Sequence, residues 1–157
     1  MKRLIDLLFS LFLFLLLIFP LLIVCFLIKL DSKGPVLNIS KSIGKNKKVF
    51  KMFKFRTMGL DTPIINTNDL KDPNLYITKF GKKLRKYSID ELPQIINIIL
   101  GDMSLVGPRP SLENQFDLIK KRDLHNIHIL NPGLTGLAQI NGRDNLTLDK
   151  KVEYDHL

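Results

Sequence analysis

The chain has a single cysteine, Cys25, so nothing in its 157 residues can close an intramolecular disulfide. A disulfide-stapled framework is excluded, and a body facing a reducing compartment fits that shortage. Glycine-rich phosphate loops and serine-centred elbows are absent as motifs, which removes two common catalytic scaffolds. Histidine is scarce as well: His125 and His128 stand three apart, with no cysteine or second carboxylate pair at a ligand spacing, so they read as surface or core residues. Acidic side chains number 15 against 24 lysines and arginines. Residues 1–30 hold three of the basic and one of the acidic residues, so the remainder keeps an excess of seven positive charges and expects an anionic partner such as phosphate, nucleotide, nucleic acid or acidic lipid.

Against these shortages stands one long apolar block. Residues 7–28 are interrupted only by Ser10 and Pro20, and about 20 apolar residues at about 1.5 Å each match a hydrocarbon layer near 30 Å. An ordinary soluble protein is excluded. A cleaved signal is disfavoured because no small-x-small site follows Ile28, and Leu22-Ile23-Val24 ahead of Cys25 lacks the small residues of a lipoprotein signal. Two readings stay open, a helix that spans and a re-entrant hairpin broken at Pro20, whose ring removes a donor and clashes with the preceding turn. Flanking charge does not choose between them: Lys2 and Arg3 precede the block while Lys29 and Lys33 follow it.

Beyond it, residues 31–35 read as a turn and 36–39 as a short strand, followed by a basic turn over 44–48 and a second strand, 49–58, as hairpin partner. Residues 59–75, rich in Asp, Asn, Thr and Pro, read as a loop. Phe80, Lys83, Leu84 and Tyr87 share one helical face, and Leu92, Ile95, Ile96 and Ile99 predict an apolar stripe on a helix over 89–100 that stops at Gly101. Residues 106–110 cannot be helical, 111–125 can, and a turn over 131–136 leads to a short strand at 137–140. The fold class is α/β: a small mixed body, residues 31–157, on a membrane-embedded segment, residues 1–30.

The chemistry-bearing residues are few. Ser88-Ile89-Asp90-Glu91 has the pattern of a helix capping box, in which both side chains satisfy free backbone donors. With Asp90 as the cap instead, the two carboxylates stand at a helix start, free for catalysis or a metal. Both readings stay open on these residues alone. Arg56, Arg85, Arg109 and Arg143 recur through the body, and Gly-Pro-Arg-Pro and Asn-Gly-Arg hold a guanidinium on stiff or tightly turned backbone suited to bidentate phosphate binding. Basic and aromatic residues alternate over 50–56, a pattern that can stack single-stranded nucleic acid, though Phe in a strand is more often core.

Six stretches together resemble one family. They are Lys2-Arg3-x-x-Asp6 before the apolar block; Lys54-Phe55-Arg56-Thr57-Met58; Gly81-x-x-Leu84-Arg85-x-x-Ser88-x-Asp90-Glu91-Leu92-Pro93-Gln94; Gly101-Asp102-Met103-Ser104-x-Val106-Gly107-Pro108-Arg109-Pro110; Pro132-Gly133-Leu134-Thr135-Gly136-x-Ala138-Gln139-x-Asn141-Gly142-Arg143; and Glu153-Tyr154-Asp155. In this order, over nearly the whole chain, they resemble the bacterial sugar transferases, the monotopic polyprenyl-phosphate phosphoglycosyl transferases.

The resemblance implies a re-entrant helix–break–helix hairpin and a body on the cytoplasmic face of the bacterial inner membrane. It implies transfer of a sugar-1-phosphate from a UDP-sugar, an N-acetylated amino sugar by first expectation, to polyprenyl phosphate. UMP is released and surface glycan synthesis begins. Asp90 is then the nucleophile, through a covalent phosphosugar intermediate, and the Mg²⁺ ligand; Glu91 assists. Lys54, Arg56, Arg85, Arg109 and Arg143 are expected at the phosphates and nucleotide-sugar, and Lys2 and Arg3 at the lipid phosphate. Partners are the UDP-sugar, polyprenyl phosphate and membrane lipid, with no nucleic acid. Departures are Phe19-Pro20 where relatives commonly have Ser-Pro, and Ser40-Lys41-Ser42-Ile43-Gly44 where they have Gln-x-Arg-x-Gly. Relatives also commonly continue past Glu-Tyr-Asp, so a truncated, inactive, membrane-anchored module binding anionic lipid or nucleotide is the alternative.

Overall fold

The structure, a computed structural model, describes residues 1–63 and 72–156. Most of the loop expected over 59–75 lies outside the described residues, apart from a 3-10 turn at Pro73–Leu75. The chain opens with helix α1, Lys2–Asp31, the one described helix long and apolar enough to cross a membrane. Its outward side is bare hydrocarbon, with Leu8, Phe12, Leu15, Phe19, Ile23 and Phe26 exposed. An apolar patch of that extent suits membrane anchoring. The covered positions, Asp6, Ser10, Leu13, Leu17, Leu21, Val24 and Ile28, recur at helical spacing, so one face is turned inward along the whole length.

The helix–break–helix expected at Pro20 is not what forms. Helix α1 runs through Pro20 without interruption, because a proline removes one donor from the ladder while the turns on either side keep theirs. Even so, both ends rest on the same body. At the start, Arg3 donates to the carbonyls of Ile98 at 2.5 Å and Ile99 at 2.9 Å, Lys2 Nζ donates to Val106 O at 3.0 Å, and Asp6 accepts from Ser104 Oγ at 2.8 Å and Leu105 N at 3.3 Å. At the end, Asp31 accepts from Phe80 N at 3.2 Å, and Ile28 is buried against Phe55 and Leu84.

The body begins with a hairpin, β1 (Leu37–Ile43) and β2 (Val49–Phe55), antiparallel in a register that runs from Leu37↔Phe55 to Ile43↔Val49. This is the expected pair, with the first strand longer than read. Helices α2 (Lys79–Lys86) and α3 (Gln94–Leu100) follow, joined by a short 3-10 turn, Ile89–Glu91. Gly101 stops α3 at φ 98°, as its place in the sequence suggests. The helix expected over 89–100 is therefore shorter: Pro93 has no N–H and sits naturally at a helix start. The buried face of α3 is Ile95 and Ile98, with Ile96 and Ile99 half-covered.

Strand β3 (Ser104–Val106) and β4 (Ser111–Leu112) come next, then α4 (Phe116–Leu124), β5 (Gly133–Thr135), α5 (Leu137–Ile140) and α6 (Leu148–His156). The sheet order is β2-β1-β4, and β3 pairs with β5 in parallel. The strand expected at 137–140 is thus helical, and the pairing strand starts four residues earlier. Glycine explains the shift: a Cβ on Gly133 would lie 2.1 Å from Gly107 N, so only glycine allows these backbones to meet there. One core packs Phe50 and Met52 on Ile98 and Met103; another joins Leu118, Ile127 and Val152. Truncating Ile98, fully buried, would cost about 2–5 kcal/mol.

Candidate active site

The site is built around the turn between α2 and α3. Ser88 enters it in the left-handed conformation, φ 55°, and makes no capping bond. Helix α3 takes no side-chain cap either. Neither capping reading of Ser88-x-Asp90-Glu91 is realised: both carboxylates are buried, and Glu91 is turned to partners far along the chain.

Glu91 is the hub. Its Oε1 lies 2.9 Å from Arg109 Nη2, 2.9 Å from Arg143 Nη2 and 3.3 Å from Lys54 Nζ. Burial works to raise its pKa, but Arg109, Lys54 and Arg143 outweigh that and bring it down to about 2. Asp90 shows the opposite balance. Burial, and then the neighbouring Glu91 charge, push its carboxyl above the usual carboxylate range, against Lys54, Arg85 and Arg143. Its Oδ1 is buried with no hydrogen-bond partner among the described residues. Lys54 is lowered from its ordinary value by burial, with Glu91 opposing. An adjacent pair of carboxyls pushed apart in this way is a common mark of catalytic sites.

Each cation is delivered by a different element. Lys54 comes from β2, whose edge is held by the fully buried Asn97 of α3: Asn97 Oδ1 accepts from Phe53 N at 3.1 Å, and its Nδ2 donates to Lys51 O at 2.7 Å. Arg109 comes from the Pro-Arg-Pro loop, where its main-chain N–H donates to Asp155 of α6. Asp155 is itself buried against Arg122, Nε to Oδ2 at 3.0 Å and Nη2 to Oδ2 at 2.5 Å. Burial pushes Asp155 up, against the pull of Arg122. Arg143 follows Gly142 in a tight turn, itself at φ 53°, and donates through Nη1 to Ser88 Oγ at 2.7 Å. Arg85 Nε is steadied by Thr57 Oγ1 at 2.8 Å.

Along its full length, residues 1–157, the sequence matches the family described as bacterial sugar transferase. The chain belongs to that family. A sugar transferase, EpsL, of Bacillus subtilis is 40% identical over 155 residues, 99% of this chain and 75% of the relative. The UDP-glucose:undecaprenyl-phosphate glucose-1-phosphate transferase of Klebsiella pneumoniae is 42% identical over 171 residues, 99% of this chain but 35% of that enzyme. An Aeromonas hydrophila enzyme named for transfer of N-acetylgalactosamine phosphate to undecaprenyl phosphate is 37% identical over 134 residues, 83% of this chain and 31% of its own. The chain therefore spans about a third of the length of these two substrate-named relatives.

Within this bacterial sugar transferase, the residues expected at the phosphates divide. Lys54, Arg109 and Arg143 converge on Glu91, and Arg85 acts on Asp90. Arg56 does not join them: its Nη2 donates to Ser32 O at 2.8 Å and its Nη1 to Lys33 O, stitching body to anchor. Lys2 and Arg3, expected at the lipid phosphate, donate to carbonyls of α3 and β3 and so tie the start of α1 to the body. No group of three or more metal-ligating side chains exists among the described residues. Thr57, Ser88, Asn97 and Asp155 were not anticipated in supporting roles. Thr57, Ser88 and Asp155 lie in the matched stretches, but nothing local ties Asp155 to Arg109 or Asn97 to a strand edge.

Proposed function

We propose that the chain transfers a sugar-1-phosphate from a UDP-sugar to polyprenyl phosphate on the cytoplasmic leaflet of the bacterial inner membrane. The observation that carries it is Asp90, buried with an oxygen free of partners, beside a carboxylate that gathers three cations. In the first step an Asp90 oxygen attacks the sugar-linked phosphorus; an oxygen–phosphorus bond forms, the bond to the bridging oxygen breaks, and UMP leaves with that oxygen. In the second, a polyprenyl phosphate oxygen attacks the same phosphorus and frees Asp90. Splitting one transfer into two is the advantage of a covalent nucleophile. Glu91 stays ionised and holds Lys54, Arg109 and Arg143 where the diphosphate charge must be met.

The residues fit Mg²⁺. Magnesium usually takes one or two carboxylates with phosphate oxygens and water, and Asp90 offers an unsatisfied carboxylate oxygen, while Glu91 is saturated by cations. Bound there, the ion would supply charge neutralisation of the diphosphate. Anchorage of both ends of α1 on the body supports a monotopic arrangement, in which helix and body share one side of the membrane.

The test is UMP release by reconstituted protein with Mg²⁺ and undecaprenyl phosphate, across UDP-glucose, UDP-galactose and N-acetylated amino-sugar donors. Lipid-dependent release that vanishes in Asp90→Asn supports the reading. Release that survives the substitution overturns it, and nucleotide binding without any turnover leaves a non-catalytic binding module.

A further inference from the structure

Beyond Arg109 and Arg143 lies a cleft that neither Asp90 nor Glu91 lines. It is walled by Arg109, Gln115, Arg122, Gln139, Arg143 and Lys151, among others, around a cavity of about 70 Å³. One part of its wall is unsatisfied. Gln139 Nε2 and Oε1 are both buried without a hydrogen-bond partner among the described residues, and Arg143 Nε is in the same condition. Buried amides are nearly always paired, so an orphaned donor and acceptor side by side are the imprint of something that supplies both.

The direction of the reaction says what that is. Displacement at phosphorus puts the leaving group opposite the nucleophile. The cleft shares with the dyad only Arg109 and Arg143, the two arginines that also hold Glu91. A diphosphate held by these two arginines, with its sugar-linked phosphorus at Asp90, directs the departing nucleoside monophosphate into the cleft. Resting on the sugar-phosphate transfer argued above, we propose that Gln139 is a specificity-determining residue that reads the uracil ring of the donor: Oε1 accepts from the ring N3–H and Nε2 donates to an adjacent ring carbonyl. The cationic wall meets the phosphate, and the amide meets the base.

The experiment is calorimetric titration of the full chain in detergent with UMP, N3-methyluridine 5′-phosphate and ribose 5-phosphate, for wild type and Gln139→Leu. Leucine removes the orphaned amide at similar volume, so the variant should melt no lower than wild type. Wild type should bind UMP about tenfold tighter than the N3-methyl compound, about 1.4 kcal/mol. Gln139→Leu should weaken UMP about tenfold, leave ribose 5-phosphate within twofold, and no longer distinguish the methylated base. A variant that binds UMP as wild type does, or that still rejects the methylated base, overturns the proposal. Wild type that transfers sugar phosphate yet ignores N3-methylation sinks this inference alone. Folded wild type with neither transfer nor UMP binding sinks it together with the function beneath it.

Discussion

Replacing Glu91 by Gln removes one charge and almost no volume, and the structure says what that charge is worth. The carboxyl is held at about 2 rather than the ordinary 4.5. At 1.36 kcal/mol per decade, that depression corresponds to roughly 3 kcal/mol of stability at neutral pH. The sign follows from the depression: the stabilisation is complete above 4.5, fades as pH falls from there, and is gone near 2. Burial makes the figure meaningful, since the Glu91 side chain is 10% exposed and solvent screens little of it. The variant also leaves Lys54, Arg109 and Arg143 without the anion they share, and unpairing a buried ionic cluster commonly costs about 3–5 kcal/mol. Urea unfolding followed by circular dichroism, in detergent with chelator present, reads the difference directly. For a urea slope of about 1–3 kcal/mol per molar, the midpoint at pH 7 should fall by about 1–3 M in Glu91→Gln. The gap should narrow below pH 4.5 and close near pH 2. A midpoint shift under about 0.3 M at pH 7, or a gap that persists unchanged to pH 2.5, refutes the reading of Glu91 as an ionised hub.

Further outcomes concern the other members of the site. Arg109→Lys keeps the charge and loses the fork, so turnover should fall about 10- to 100-fold with the fold intact by circular dichroism; full activity in that variant rejects its phosphate role. Asp155→Asn removes the buried partner of Arg122 and weakens the hold on the Arg109 backbone, so both urea stability and turnover should drop, and an unchanged turnover would detach Asp155 from the site. Because burial and Glu91 hold Asp90 above the usual carboxylate range and the nucleophile must be ionised, turnover should rise with pH along an acid limb displaced upward from 3.8; a rate already flat from pH 4 contradicts that assignment. Asn97→Ala strands Phe53 N and Lys51 O at a sheet edge and should cost about 1–3 kcal/mol in the same unfolding assay.

What could be read in the sequence was whatever repeats locally or is spelled by contiguous residues. The apolar block, the hairpin of residues 37–55, the stop at Gly101 and the Asp90-Glu91 pair all announce themselves within a few positions. The misreadings share one cause. Ser88-x-x-Glu91 satisfies a local capping rule, yet Lys54, Arg109 and Arg143 offer Glu91 stronger partners from 37, 18 and 52 residues away. Arg56 sits in a basic stretch that looked like a ligand surface, and the carbonyls of Ser32 and Lys33 claim it instead. Residues 137–140 have the composition of a strand, but the glycine contact at Gly133 fixes the pairing earlier and leaves them to a short helix. Tertiary partners outbid local preference at each of these places.

Helix α3 touches the site at one end and the anchor at the other. Its first turn follows the dyad, and the carbonyls of Ile98 and Ile99 near its last turn receive Arg3. Seven residues at about 1.5 Å each make a rod of about 10 Å. That rod is a ruler: it fixes the spacing between the Asp90–Glu91 pair and the first turn of α1, and under the proposed transfer it thereby sets which lipid-borne phosphate Asp90 can meet. One added turn would change that spacing by about 5 Å, more than the length of a bond-forming approach.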